Sequence, residues 1–343
     1  MQAPRPRGPL SALVLSWLHG QDAPSVPKAC RLVQEASSDI ICDEDRQLTL
    51  WMLYELHYTG FDDVDAAWEW SPECLAVRRR LETELEDDLR ASTADPVRAV
   101  CERSGGVAER LFDLVARDRS PSLGPYIQRH ASRVEAIEFL IHRSIYNLKE
   151  ADPHTWAVPR LTGAPKVALV ELQYDEYGTG DAERLHAKMF ADTLRACQLC
   201  SQVGAYIDVV PAVTLALNNG LSMFGLHRRL TAAAVGHLAA FEASSSLPSR
   251  QVARGLRRLG FPDPAAAYFD EHVEADAVHE QVATRNICAA LVAQDPQSMQ
   301  TVAFGAAACL YLDARVAAYV LDAWAAGRSA LLPDVTQSGV LGA

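Results

Sequence analysis

No stretch of this chain alternates apolar and polar residues over a length that would make a strand, whereas apolar residues recur every three or four positions in segment after segment. That pattern predicts an all-α protein. A low aromatic content of 7% beside 49% hydrophobic residues, much of it alanine, points the same way. With 343 residues the chain is long enough for one large core or two modest ones.

Helix signals place the elements. Ser71-Pro72 reads as a cap and first turn, and Leu48, Met52 and Leu53 share a helical face that closes at Gly60. Val134, Ile137, Leu140 and Ile141 form one stripe that ends by Pro153. The run 232–243 is almost wholly apolar and is expected to end at the polar loop Ser244-Ser245-Ser246-Leu247-Pro248. A helix of nearly thirty residues starts after Pro264, and a last one runs from Asp295-Pro296 to Gly327. The expected organisation is a loose, proline-rich N-terminal arm over 1–25, a helical region over 26–140 packed on the core, a main helical domain over 141–328, and a tail over 329–343.

Charge narrows the partners. Forty-four acidic against 32 basic residues give a net charge of −12, opposite to a nucleic-acid footprint. No run reaches the ~18 apolar residues of a membrane span, and the apolar stretch Leu10 to Leu18 lacks a clean cleavage site, so a cytoplasmic protein is expected. The eight cysteines are scattered; Cys197 and Cys200 form the one close pair, without the second pair that a tetrahedral zinc site needs.

The residues that carry chemistry are two histidine–carboxylate groups. His272, Asp276 and His279 fall on one helix face, a costly arrangement for a core unless a cation binds there. Glu183 and His186 stand three apart, as do Asp276 and His279; Glu-x-x-His pairs on two helices, with a glutamate from each of two others, are how helical bundles hold two iron ions. Glu242 is the one acidic residue in the 232–243 run, so it is paired, protonated, metal-bound or at a wet helix end. Glu171, Glu176 and Glu183 flank the break at Gly178 and Gly180, and all three compete as the first carboxylate.

These segments together, 171–190, 236–242 and 269–280, resemble the haem-oxygenase-like di-iron oxidases, the iron-containing redox enzyme family, over roughly residues 140–328. The resemblance implies a seven-helix haem-oxygenase-like bundle with additional N-terminal helices. It implies two Fe(II) ions per chain, one on Glu176, His186 and His279 and the other on Glu242, His272 and Asp276, with Glu183 as an additional ligand. It further implies an oxidase or oxygenase that uses O2 on a small carboxylate-bearing metabolite, amino-acid-like or fatty-acid-like, by N-oxygenation, hydroxylation or C–C cleavage. It leaves room for an external electron donor and a homodimer. Tyr177, Met189, Phe190, Met223, Phe224 and Arg228 are candidate pocket residues, Arg228 for a substrate carboxylate. A haem protein on the same bundle, which would leave the carboxylates unexplained, and a non-catalytic helical protein stay open as alternatives.

Overall fold

The computed structural model describes residues 1–34 and 39–333; part of the expected tail, from 334 onward, lies outside them. Among the described residues there are helices and no strands. Seven longer runs make the bundle in the second half: Arg133–Asn147, Gly163–Glu176, His186–Ala196, Ala212–Leu226, Thr231–Arg258, Ala267–Gln281 with its continuation to Gln294, and Met299–Ala325.

The bundle is organised around the crossing of Thr231–Arg258 with Met299–Ala325. Gly236 and Gly305 set it: a Cβ on either would run into the backbone oxygen of Val302 or of Ala233. Only hydrogen fits there, and the two helices pack at a distance that side chains would forbid. The last helix is long and apolar enough to cross a membrane, and its Val302–Cys309 face is buried inside the bundle.

Thr231–Arg258 corrects one expectation. The helix does not stop at the serines but continues past Pro248 to Arg258. Proline removes the ladder hydrogen bond to the Ser244 carbonyl, while the serines before it are tied into the bundle: Ser244 donates to the Phe241 carbonyl and Ser246 to the Val273 carbonyl of the neighbouring helix. Glu242 therefore sits in mid-helix, away from a wet end.

The N-terminal arm is a second correction. Pro9–Leu18 is a helix burying Leu10, Val14 and Trp17, and the Asp45 carboxylate accepts from the Leu10 and Ser11 amides at 2.7 Å each. Arg7 donates to the Val210 carbonyl at 2.8 Å. Its leucines join an apolar cluster that runs from Leu10 to Ala330, so the first residues share a core with the last described ones. The stripe beginning at Val134 is also shifted: Val134 is exposed, and a Ser132–Glu135 capping box starts the helix so that Ala136, Leu140 and Ile141 face inward.

The run that carries His272 and His279 changes winding beyond the ligands. After Gln281 it passes into a π-helical segment, Val282–Cys288, before resuming α geometry. Such segments occur often at functional sites.

Candidate metal centre

Glu150, Glu176, Glu242, His186, His272, Asp276 and His279 are all buried in the middle of this bundle. Two sets of donor atoms lie within 4.8 Å of one another: Glu150, Glu176, His186 and His272, and Glu176, Glu242 and His279. Glu176 belongs to both. Its Oε2 is 2.9 Å from His186 Nδ1 and its Oε1 is 3.2 Å from His279 Nδ1.

Each donor is aimed by a second contact. His279 uses Nε2 on Asp175 Oδ2 at 2.7 Å, which leaves Nδ1 facing Glu176 and Glu242. His272 uses Nδ1 on the Tyr268 carbonyl at 2.7 Å, which leaves Nε2 facing Glu150 Oε1 at 3.7 Å. Glu150 Oε2 accepts from Asn147 Nδ2 at 2.9 Å and from the Tyr268 hydroxyl, which frees Oε1. Asp276 Oδ2 accepts from Ser245 at 2.6 Å, and its Oδ1 is free beside Glu242. This arrangement, in which one atom of a ligand is anchored and the other left to a cation, is how outer groups orient metal ligands.

The free atoms are the decisive test of fit. Glu150 Oε1, His186 Nδ1, Asp276 Oδ1 and His279 Nδ1 are buried with no aligned hydrogen-bond partner. A buried polar atom without a partner costs on the order of 1–3 kcal/mol, so four at one place demand a common partner. Oxygen and imidazole donors in a carboxylate-rich set suit iron, and no cysteine belongs to either set.

Charge at the cluster is correspondingly strained. Burial and the neighbouring Glu176 push Glu150 up to about 8, and burial with Glu242 alongside pushes Asp276 up to about 9. Burial would raise Glu176 too, but contact with His186 and His279 holds it well below the usual carboxylate range. Burial opposes protonation of His186 and His279, yet the carboxylates outweigh it and raise them to about 9 and about 11. His272 is lowered to about 4 by burial and the His186 charge.

The profile of iron-containing redox enzymes matches residues 137–314, just over half of the chain and the part that holds every one of these donors. The chain belongs to the iron-containing redox enzyme family. The family is described as one of iron-containing redox enzymes, and the described residues have an all-α, haem-oxygenase-like fold. A nitrosourea synthase from Streptomyces achromogenes subsp. streptozoticus is 29% identical over 145 residues, which is 42% of this chain and 31% of that protein. The chain thus matches about a third of that relative's length. A CADD-like protein of unknown function from Nostoc punctiforme PCC 73102 superposes with TM-scores of 0.47 and 0.45 in two crystal structures, at 16% and 15% identity, over 70% of this chain and 97% and 94% of the other.

Against this structure, several expectations from sequence change. Glu183 is exposed and pairs with Lys188 Nζ at 2.9 Å. The reason is local: Ala182–Arg184 is a 3-10 turn and His186 opens the next helix, so the three-residue spacing does not put the two side chains on one face. Glu171 is exposed on the outer side of its helix. Gly178, at φ +79°, makes the turn that separates Glu176 from His186; a Cβ there would lie 2.6 Å from the Leu185 nitrogen. The division of histidines is exchanged as well: His272 groups with His186, and His279 with Glu242.

None of the six pocket candidates lines a cavity among those beside the cluster. Tyr177 is half-exposed and bonds Thr155 and Asp152, Phe190 packs on Tyr268 and Phe269, and Phe224 packs on Phe304. Met189 packs against the core, as does Met223, and Arg228 is exposed. Sequence reasoning missed Glu150, Asp175 and Tyr268. Glu150 had a signal: it extends the buried series Leu140, Ser144, Asn147 by one more helical step, though it lies just past the helix end.

Proposed function

We propose that this protein is an O2-dependent, Fe(II)-requiring oxidase or oxygenase of a small carboxylate-bearing metabolite, with two ions per chain. Glu150, Glu176, His186 and His272 would hold one ion, and Glu176, Glu242, Asp276 and His279 the other. The convergence of four unpartnered buried donor atoms carries this reading. It favours a di-iron centre over haem, because haem iron asks for one or two axial ligands and would leave the carboxylates unsatisfied.

Ferrous iron supplies electrons for the reduction of O2 when bound. The chain's own residues do the rest. Asp175 fixes the Nε2 proton of His279, and the Tyr268 carbonyl fixes the Nδ1 proton of His272, so each ring keeps a lone pair on its inward nitrogen. Tyr146 and Phe241, edge to face at 5.2 Å, wall a cavity of about 10 Å³ lined by Glu150, Glu176, Glu242 and His272. These rings keep bulk water from the ligands and leave room for about one water-sized molecule. The relative's name, nitrosourea synthase, supports N-oxygenation as one outcome; hydroxylation and oxidative C–C cleavage are the others.

The test is anaerobic reconstitution with Fe(II), metal analysis, and O2 uptake with candidate metabolites. Two irons per chain and substrate-dependent O2 consumption are expected, with product mass and ¹⁸O content separating the three outcomes. A protein that takes up no iron, or a Soret band in place of it, would defeat the reading.

A further inference from the structure

A second, larger cavity lies on the other side of the Tyr146–Phe241 wall. Its volume is about 130 Å³, and it is lined by apolar side chains such as Phe139, Phe269 and Val252 together with charged Arg143 and Asp313. Tyr146 and Phe241 face both cavities, so a molecule held here abuts the metal cluster.

The two charges are unusual in having no partner. The Arg143 guanidinium lies 5.7 Å from the Tyr146 ring centre and 6.0 Å from that of Phe241, and forms no ion pair among the described residues. Asp313, on the facing Met299–Ala325 helix, likewise has no ion pair or hydrogen bond among them. Protein surrounds it, yet its side chain meets solvent from within the cavity. A cation and an anion that line one cleft could pair with each other; these feel each other's charge and stay apart. His237 Nδ1, on the same lining, is also buried without a partner.

We infer that this cavity is the substrate site and that it takes a zwitterion, an α-amino acid, with its carboxylate on Arg143 and its ammonium group at Asp313. A fatty acid satisfies only Arg143 and leaves Asp313 against an apolar tail, and an amine leaves Arg143 unmatched. The apolar walls receive the side chain. The inference rests on the reading of the cluster as the oxidising centre, but it concerns binding and is measured as binding.

Isothermal titration of the Fe(II)-loaded protein under nitrogen tests it, using the proteinogenic L-amino acids, each beside its decarboxylated amine and its deaminated acid, with decanoate as the fatty-acid probe. The best amino acid should bind at least about tenfold tighter than either truncated form. Arg143→Gln should abolish the preference over the amine and Asp313→Asn the preference over the acid, whereas Arg143→Lys retains part of the first. Circular dichroism separates loss of fold from loss of recognition. Decanoate or a deaminated acid binding as tightly as the best amino acid, no amino acid binding at all, or preferences unchanged in both folded variants would overturn the inference. Amino-acid binding without any O2 uptake would instead sink the oxidase reading and leave this one standing.

Discussion

Glu176 Oε2 and His186 Nδ1 are 2.9 Å apart, in contact but not aligned as donor and acceptor. Two groups that approach this closely without pointing at each other point at something between them. Because Glu176 also reaches His279, it is the one carboxylate common to both donor sets.

Removing it should therefore empty both positions. Glu176→Ala is expected to retain less than half the iron of the wild type after reconstitution, whereas His272→Ala keeps about one ion per chain. Glu183→Gln, altering an exposed residue outside the cluster, should load as the wild type does. Metal analysis of the three reconstituted variants checks the ordering.

Asp175 touches only the far nitrogen of His279. Asp175→Asn should weaken Fe(II) binding by about 10- to 100-fold, the usual cost of losing a group that orients a metal-ligating histidine. The readout is a competitive chelator titration. A variant that matches the wild type would show that His279 is positioned by other means.

Metal uptake should depend on pH with a definite sign. Before metal arrives, His186 and His279 hold protons at neutrality, since they are raised to about 9 and about 11, and so does Asp276 at about 9. Ligation displaces protons, so apparent affinity should climb about tenfold per pH unit for each proton released between about pH 6 and pH 8. Titrations in buffers of different ionisation enthalpy count those protons directly.

Acid stability should report a different trio. Burial lowers His142 and His154 to about 4 and His237 further below its usual value. The unfolded chain protonates such rings near pH 6.5, so between there and about pH 4 it binds more protons than the folded one, and stability falls as pH falls. Three such rings give a slope of up to about 4 kcal/mol per pH unit, and His142→Asn should remove about a third of it. Urea melts at a series of pH values measure the slope.

How much of this was legible in the sequence depends on which force decides each feature. The helices were, because burial of an apolar stripe is written in spacing, and His272, Asp276 and His279 share a face for the same reason. The Glu183–His186 pair was misleading because three-residue spacing means one face only inside a regular helix, and the 3-10 turn before His186 breaks that rule. Glu150 continues a buried helical series, but it lies past the helix end at Asn147, where helical spacing no longer dictates which side is buried. Arg143 and Asp313 come to line one cavity through tertiary packing of helices far apart in the chain, and no local pattern records which partners a charge lacks.

Tyr268 supports two donors through different atoms: its hydroxyl holds Glu150 and its carbonyl holds His272. These supports are not equally open to sequence drift. A carbonyl is offered by any residue that keeps the helix, so the hold on His272 survives nearly every substitution at 268. The hydroxyl exists only in tyrosine, and changing it to phenylalanine loosens Glu150 and takes an acceptor from its neighbour Asn147. One position thus carries a permanent support and a heritable one, and selection can tune how firmly Glu150 is held without disturbing the turn that presents His272.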